Sequence, residues 1–164
     1  MADSEADSKP IKSLIQSFFD AINASDTKAL QEHFFPTASL TILRQDPPLP
    51  ESSPPPSPPD NKITVVTRTN IETFIKMVED GERRRKGKKG PELVERPDLE
   101  HTRIEVDAGF GMAWSPFTVT FDGVLHHYGV MVYTLGREEG GKWRIEGLTQ
   151  SYRRTPGWEK TSFL

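Results

Sequence analysis

The stretch from Met112 to Arg153 limits the fold more than any other part of this chain. Met112–Phe121 is rich in aromatic and β-branched residues and ends at Asp122-Gly123. That dipeptide between two such runs marks a tight hairpin, because a type I′ turn needs positive φ at both central positions. His126–Leu135 forms the second run and closes at a Gly-Arg-Glu-Glu-Gly-Gly loop. A third run starts at Lys142 and carries Trp143 and Ile145 two apart, on one face of a strand. Three consecutive antiparallel strands follow, and the upstream chain must supply what packs on them.

Upstream, Ile11, Leu14, Ile15, Phe18, Phe19 and Ile22 recur at helical spacing, with Ser8 as cap and Pro10 in the first turn. A second, shorter helix starts at Ser25-Asp26, buries Ala29, Leu30, Phe34 and Phe35, and stops at Pro36. Ala38–Leu43 and Ile63–Thr67 read as strands. A capping box over Thr69–Glu72 opens a third helix that buries Ile71, Phe74, Ile75 and Val78 and frays after Gly81. Leu99–Val106 begins the long sheet. Early helices and a late run of strands specify an α+β fold with the helices on one side of a curved sheet.

The chain of 164 residues fits one domain. Its expected limits are 10–155, with polar tails over 1–9 and 156–164. Residues 46–60, DPPLPESSPPPSPPD, cannot join a helix or sheet, since proline lacks the amide donor and fixes φ. They read as a surface insert, with docking on a proline-reading module as the alternative. A second insert, 81–97, holds six basic residues between Arg83 and Lys89. These could meet phosphates or a nuclear import receptor. No aromatic residue interleaves with them to stack on bases, which argues against nucleic acid.

The net charge of −3 gives no global attraction to polyanions, and the absence of cysteine excludes disulfides and thiolate chemistry. No apolar run approaches the roughly 18 residues of a membrane span, and the acidic N-terminus is unlike a signal peptide. The expectation is a cytoplasmic protein, with the basic run leaving a nuclear destination open.

Three stretches resemble the nuclear transport factor 2-like superfamily, in particular its SnoaL-like branch. Phe18–Ile42 is similar to the family's opening, in which a helix ends at a small-residue-Asp step and a short helix leads to the first strand. Trp114-Ser115-Pro116-Phe117, then Asp122-Gly123, then His127-Tyr128-Gly129 resembles one subgroup's tryptophan-x-proline-aromatic, glycine-turn, histidine-x-glycine pattern. Gly141-Lys142-Trp143-Arg144-Ile145 resembles the closing strand, with Lys142 inserted. The resemblance implies a cone: a strongly bent antiparallel sheet packed on about three N-terminal helices. It also implies a pocket in the open end and frequent homodimers through the sheet's outer face. Isomerases, dehydratases, cyclases and non-catalytic adaptors share this fold, so the fold does not settle function.

A two-residue turn at Asp122-Gly123 pairs Phe121 with Val124. A regular ladder then sets Trp114 opposite Met131, Thr118 opposite His127 and Met112 opposite Tyr133. Taking that face as the interior makes His127 the candidate general acid or base, with an unperturbed pKa of about 6.5. Trp114, Thr118, Met131, Tyr133 and Thr149 become the ligand-binding candidates. A one-residue bulge would reverse the assignment, and a structural histidine satisfied by Thr118 is the alternative for His127. The direction of His101 is left open. Asp20 and Glu146 should face solvent, and Asp122 is a turn residue. His126 and His127 should point to opposite faces and so not share an ion. With no HxH or HxxxH spacing, no metal site or cofactor is expected. The subgroup carries acidic residues where this chain has Thr118 and Met131, a departure that suits an apolar ligand. Two functions remain: a pocket for a small apolar, oxygenated metabolite, with catalysis open, or a dimeric adaptor working through surface loops.

Overall fold

The structure, a computed structural model, describes residues 3–45 and 62–155. The proline-rich insert and the C-terminal tail lie outside the described residues. Three helices, α1 (Asp3–Ala24), α2 (Thr27–His33) and α3 (Ile71–Arg85), pack on a seven-stranded sheet. The strands are β1 (Phe34–Gln45), β2 (Ile63–Asn70), β3 (Leu93–Pro97), β4 (Arg103–Asp107), β5 (Phe110–Phe121), β6 (Val124–Arg137) and β7 (Trp143–Arg154). Their order is β2-β1-β7-β6-β5-β3, with β4 sharing the β5 edge. The sheet is mixed: β1 runs parallel to β7 and every other pairing is antiparallel. This is the expected α+β cone, open rather than closed into a barrel.

Several elements differ from the sequence reading. Helix α1 starts at Asp3, ahead of Ser8, so Pro10 lies inside it. Asp7 Oδ1 explains the anchoring, since it accepts hydrogen bonds from Arg137 Nη2 at 2.5 Å and from Trp143 Nε1 at 3.3 Å. Phe34 and Phe35 belong to β1, because α2 ends at His33. Helix α3 runs through Gly81 to Arg85, with an Asp80–Arg83 ion pair and three arginines at the end where the helix dipole favours cations. Within the supposed basic loop, Leu93–Pro97 forms β3, paired to the far half of β5. Residues 98–102 are a turn, in which Asp98 accepts from the His101 N–H, and the strand starts only at Arg103.

The helices fill the concave face. Ile11, Ile15, Phe18 and Phe19 of α1 are buried against Tyr133, Leu135 and Ile145. Aromatic rings knit this core: Phe18 meets Phe34 at 5.8 Å and Tyr133 at 6.2 Å, both edge-on. Such pairs add about 1 kcal/mol each beyond area burial. Trp143 and Ile145 face the helices as their spacing predicts.

The hairpin register contains the decisive irregularity. Asp122 and Gly123 both adopt positive φ, and Phe121 pairs with Val124. Thr120 pairs with Leu125, but Val119 pairs with His127, so His126 is an extra residue. The bulge shifts every later pair by one: Trp114 lies opposite Val132 and Thr118 opposite Tyr128. On β5 the inner positions are therefore Gly111, Ala113, Ser115, Phe117 and Val119, all buried. A second bulge leaves Glu146 unpaired, exposed as expected and accepting from Thr134 Oγ1 at 2.7 Å.

Gly129 permits the close approach of β6 and β7. A Cβ there would lie 1.9 Å from the Ser151 carbonyl oxygen, a backbone atom that no rotamer change can move. Gly129→Ala should lower stability by about 3 kcal/mol or prevent folding. Gly109→Ala, with open space around it, should shift the urea midpoint little. Equal midpoints for the two variants would refute the close packing.

Candidate functional site

Side chains on the inner face are fully buried at Leu135, Tyr133 and Met131 and only partly buried at His127, Phe121 and Tyr152. The cone thus opens toward the β5–β6 turn. Between its sealed end and its open end, Tyr133 meets Phe18 edge-on at 6.2 Å and Phe19 lies 6.4 Å from Phe117.

Of the residues named from sequence, Met131, Tyr133 and His127 face this interior. Trp114, Thr118 and Thr149 do not. The bulge at His126 puts Trp114 on the outer face, 42% exposed, with the Arg103 guanidinium 5.5 Å from its ring centre. Thr118 is exposed on the same face, and Thr149 lies opposite Val132 on that face too. Thr118 therefore cannot orient the His127 ring.

His127 packs between Phe117, at 6.2 Å, and Tyr152, at 5.0 Å. Burial first, then the neighbouring His126 and Arg154, push its pKa down to about 4, so the ring is neutral at physiological pH. The bulge also overturns the expectation that the two histidines point apart. Their Nδ1 atoms lie 2.9 Å from each other, a hydrogen bond that requires one protonated and one bare nitrogen. Among the described residues no group of three or more His, Cys, Asp or Glu side chains is placed to hold a metal.

The sequence reading missed Glu95. It lies on β3 opposite Val119, whose side chain is on the inner face. The residue keeps part of its surface accessible, yet its carboxyl group is enclosed, and burial pushes its pKa up to about 7. Asn23 fixes it in place: the Asn23 Nδ2–H donates to the Glu95 carbonyl at 2.8 Å, and the Glu95 N–H donates to Asn23 Oδ1 at 2.8 Å. The last turn of α1 is thereby tied to β3 as a strand neighbour would be. Tyr133 is completely buried, and burial followed by the nearby Glu95 charge raises its pKa well above the ordinary phenol value. Its hydroxyl donates to Met131 Sδ at 3.3 Å, a weak acceptor.

The other candidates are structural. The Asp122 carboxylate accepts from the Glu92 N–H at 2.7 Å and holds the turn to β3. Asp20 is exposed and accepts from Gln16 at 2.9 Å. His101, whose direction the sequence left open, pairs with Asp98 at 2.8 Å on an exposed turn. An open outer cleft of about 610 Å³, lined by Lys28, Glu32, Phe35, Glu72 and Arg144 among others, lies near the sealed end. Neither it nor three smaller surface clefts is lined by Glu95, Tyr133 or His127, the groups with strongly shifted protonation.

No family model and no curated protein matches this chain. Solved structures do. The β subunit of a putative aromatic-ring-hydroxylating dioxygenase from Novosphingobium aromaticivorans superposes with a TM-score of 0.67 at 11% identity, covering 91% of this chain and 90% of that one. A conserved protein from Planctomyces limnophilus gives 0.62 at 11% identity, with 92% and 99% covered. An NTF-2 like protein of unknown function from Silicibacter pomeroyi gives 0.52 at 17% identity, with 90% and 94% covered. Among the described residues no helix is long and apolar enough to cross a membrane. With three helices in the hollow of a bent, open sheet, the chain has the nuclear transport factor 2-like, cystatin-like fold.

Proposed function

We propose that the cone binds a small apolar molecule carrying a carbonyl or hydroxyl oxygen, in the manner of SnoaL-like pocket proteins, and that Glu95 moves a proton on it. The observation that supports this is an enclosed carboxyl group on the inner face, with a pKa near neutrality and a buried phenol close by. A base poised near the working pH is present in its ionised form without being too weak to accept a proton. Glu95 would take a proton from the carbon next to a carbonyl and return it to another carbon of the same molecule. Tyr133 would leave the weak sulfur acceptor and donate to the carbonyl oxygen as charge develops there. His127, neutral, would offer one hydrogen bond near the open end without adding a charge. Its role as principal acid or base passes to Glu95, because a pKa near 4 leaves almost no imidazolium at pH 7. Such an isomerase or dehydratase needs no cofactor.

A panel of ketones and phenols titrated against protein with ¹³C-labelled methionine methyls tests the pocket. The buried Met131 methyl should shift with at least one class, and Glu95→Gln should keep that shift while abolishing proton exchange into the ligand. A Met131 signal unmoved by every compound would end the pocket reading.

The protonation states have a separate signature. The pKa of Glu95 is raised from 4.5, so its contribution to stability is full below pH 4.5 and is lost as pH rises through 7. The pKa of His127 is lowered from 6.5, so its contribution is full above pH 6.5 and is lost as pH falls through 4. The opposing slopes cancel between pH 4.5 and 6.5. Glu95→Gln should leave a rise in stability from pH 4 to 6.5, on the order of 2–3 kcal/mol and reduced by the partial exposure of His127. His127→Asn should leave the opposite slope. Urea denaturation at stepped pH reads both, and parallel profiles for wild type and Glu95→Gln would show the carboxyl to be solvated.

A second reading draws on the outer face, where Trp114, Tyr128, Met112 and Phe110 are each at least 38% exposed. Exposed aromatic residues clustered on one face favour association, and a homodimer through the sheet fits either a pocket protein or an adaptor. Trp114→Glu should convert a dimer to a monomer in analytical ultracentrifugation, and an unchanged mass would remove this face from consideration.

A further inference from the structure

The basic segment that follows α3 has no part in the reading above, yet it borders the cone's open end. Two attachments place it there. At its start, Arg85 Nη2 donates to Ser25 Oγ at 3.5 Å, two residues beyond the Asn23 that holds Glu95. At its end, Glu92 exchanges hydrogen bonds with Asp122: the Glu92 N–H donates to Asp122 Oδ1 at 2.7 Å, and the Asp122 N–H donates to the Glu92 carbonyl at 2.9 Å. Residues 86–91 therefore bridge the end of α1 and the β5–β6 turn, the two features that flank the opening. Gly87, at φ 78, supplies the left-handed step that follows the helix.

The charges on this rim are not spent internally. Arg83 is paired with Asp80 and Arg85 with Ser25. Arg84, Lys86, Lys88 and Lys89 are exposed, and their side chains engage no ion pair or hydrogen-bond partner among the described residues. Removing the six cations of residues 83–89 from a chain of net charge −3 would leave −9, so the positive field is local to this rim. The inner positions of β5 and those of β6 from His127 to Leu135, by contrast, hold no lysine or arginine, and Arg137 at the sealed end is held by Asp7. An anionic group could not be neutralised among Phe117, Met131 and Tyr133, and its desolvation there would be costly.

We propose that the ligand of this cone is an amphipathic anion, whose apolar body enters the interior while a sulfate-, phosphate- or carboxylate-like group stays outside on Arg84, Lys86, Lys88 and Lys89. The proposal rests on the pocket reading and adds the charge of the substrate to it. Clustered cations at the edge of a low-dielectric opening concentrate anions and accelerate their entry, an effect that salt removes.

Two fluorescent probes with the same aromatic body test it on the full chain: anionic anilinonaphthalene sulfonate and uncharged N-phenylnaphthylamine. The sulfonate should bind about tenfold more tightly at low salt. That advantage should vanish in high salt and in the variant combining Arg84→Gln, Lys86→Gln, Lys88→Gln and Lys89→Gln, while binding of the uncharged probe stays the same. The Met131 methyl shift reports whether each probe enters the cone. If both probes shift Met131 but the variant keeps the full sulfonate advantage, the rim proposal fails and the pocket stands. If neither probe shifts Met131, the pocket reading and the proposal fall together.

Discussion

One extra residue, His126, decides which side of the sheet each strand presents. A bulge shifts the alternation of everything beyond it, because side chains on a strand repeat with period two. Without it, the interior would receive Trp114 and Thr118. With it, the cone takes Ala113, Ser115, Phe117 and Val119, and the indole goes to the outside. The same extra residue swings the His126 ring next to His127, so one local irregularity shapes both the inner face of the sheet and the histidine pair.

The packing of α1 explains why that outcome is the stable one. Ile11 and Trp143 approach Gly111 so closely that an added Cβ would already be in contact with both. A helix at that distance needs small residues beneath it, and β5 supplies Gly111, Ala113 and Ser115 on the inner face. A tryptophan in their row would force the helix outward and open the buried cluster around Phe18. The far end of the same helix has another task. Asn23 clasps the Glu95 backbone, so the element that seals one end of the cone also sets the carboxyl at the other.

The site follows from the same economy of polar groups. Most buried polar atoms here are satisfied structurally, as in the Thr102–Ser115 hydroxyl pair at 2.8 Å. Buried His33 Nδ1 has no partner among the described residues, while Tyr133 and Glu95 differ in kind, a phenol facing sulfur and a carboxyl whose pKa burial alone raises. Polar groups with weak partners inside an apolar interior are costly to keep.

The sequence by itself determined the turn at Asp122-Gly123, the apolar stripes of the three helices, the inward Trp143 and Ile145, and the α+β cone that these require. Each of those depends on local chemistry: positive φ, helical spacing, alternation within one strand. It also put His127, Met131 and Tyr133 together on the inward face, because they share one strand and their parity is internal to it. Trp114, Thr118 and Thr149 were assigned across strands, and cross-strand parity depends on register, which both faces of β5 left ambiguous by being partly apolar. Glu95 was hidden for a different reason. Five residues beside a basic run look like a loop until β5 offers them a partner, and a carboxyl acquires its pKa only from the atoms that the finished fold packs around it.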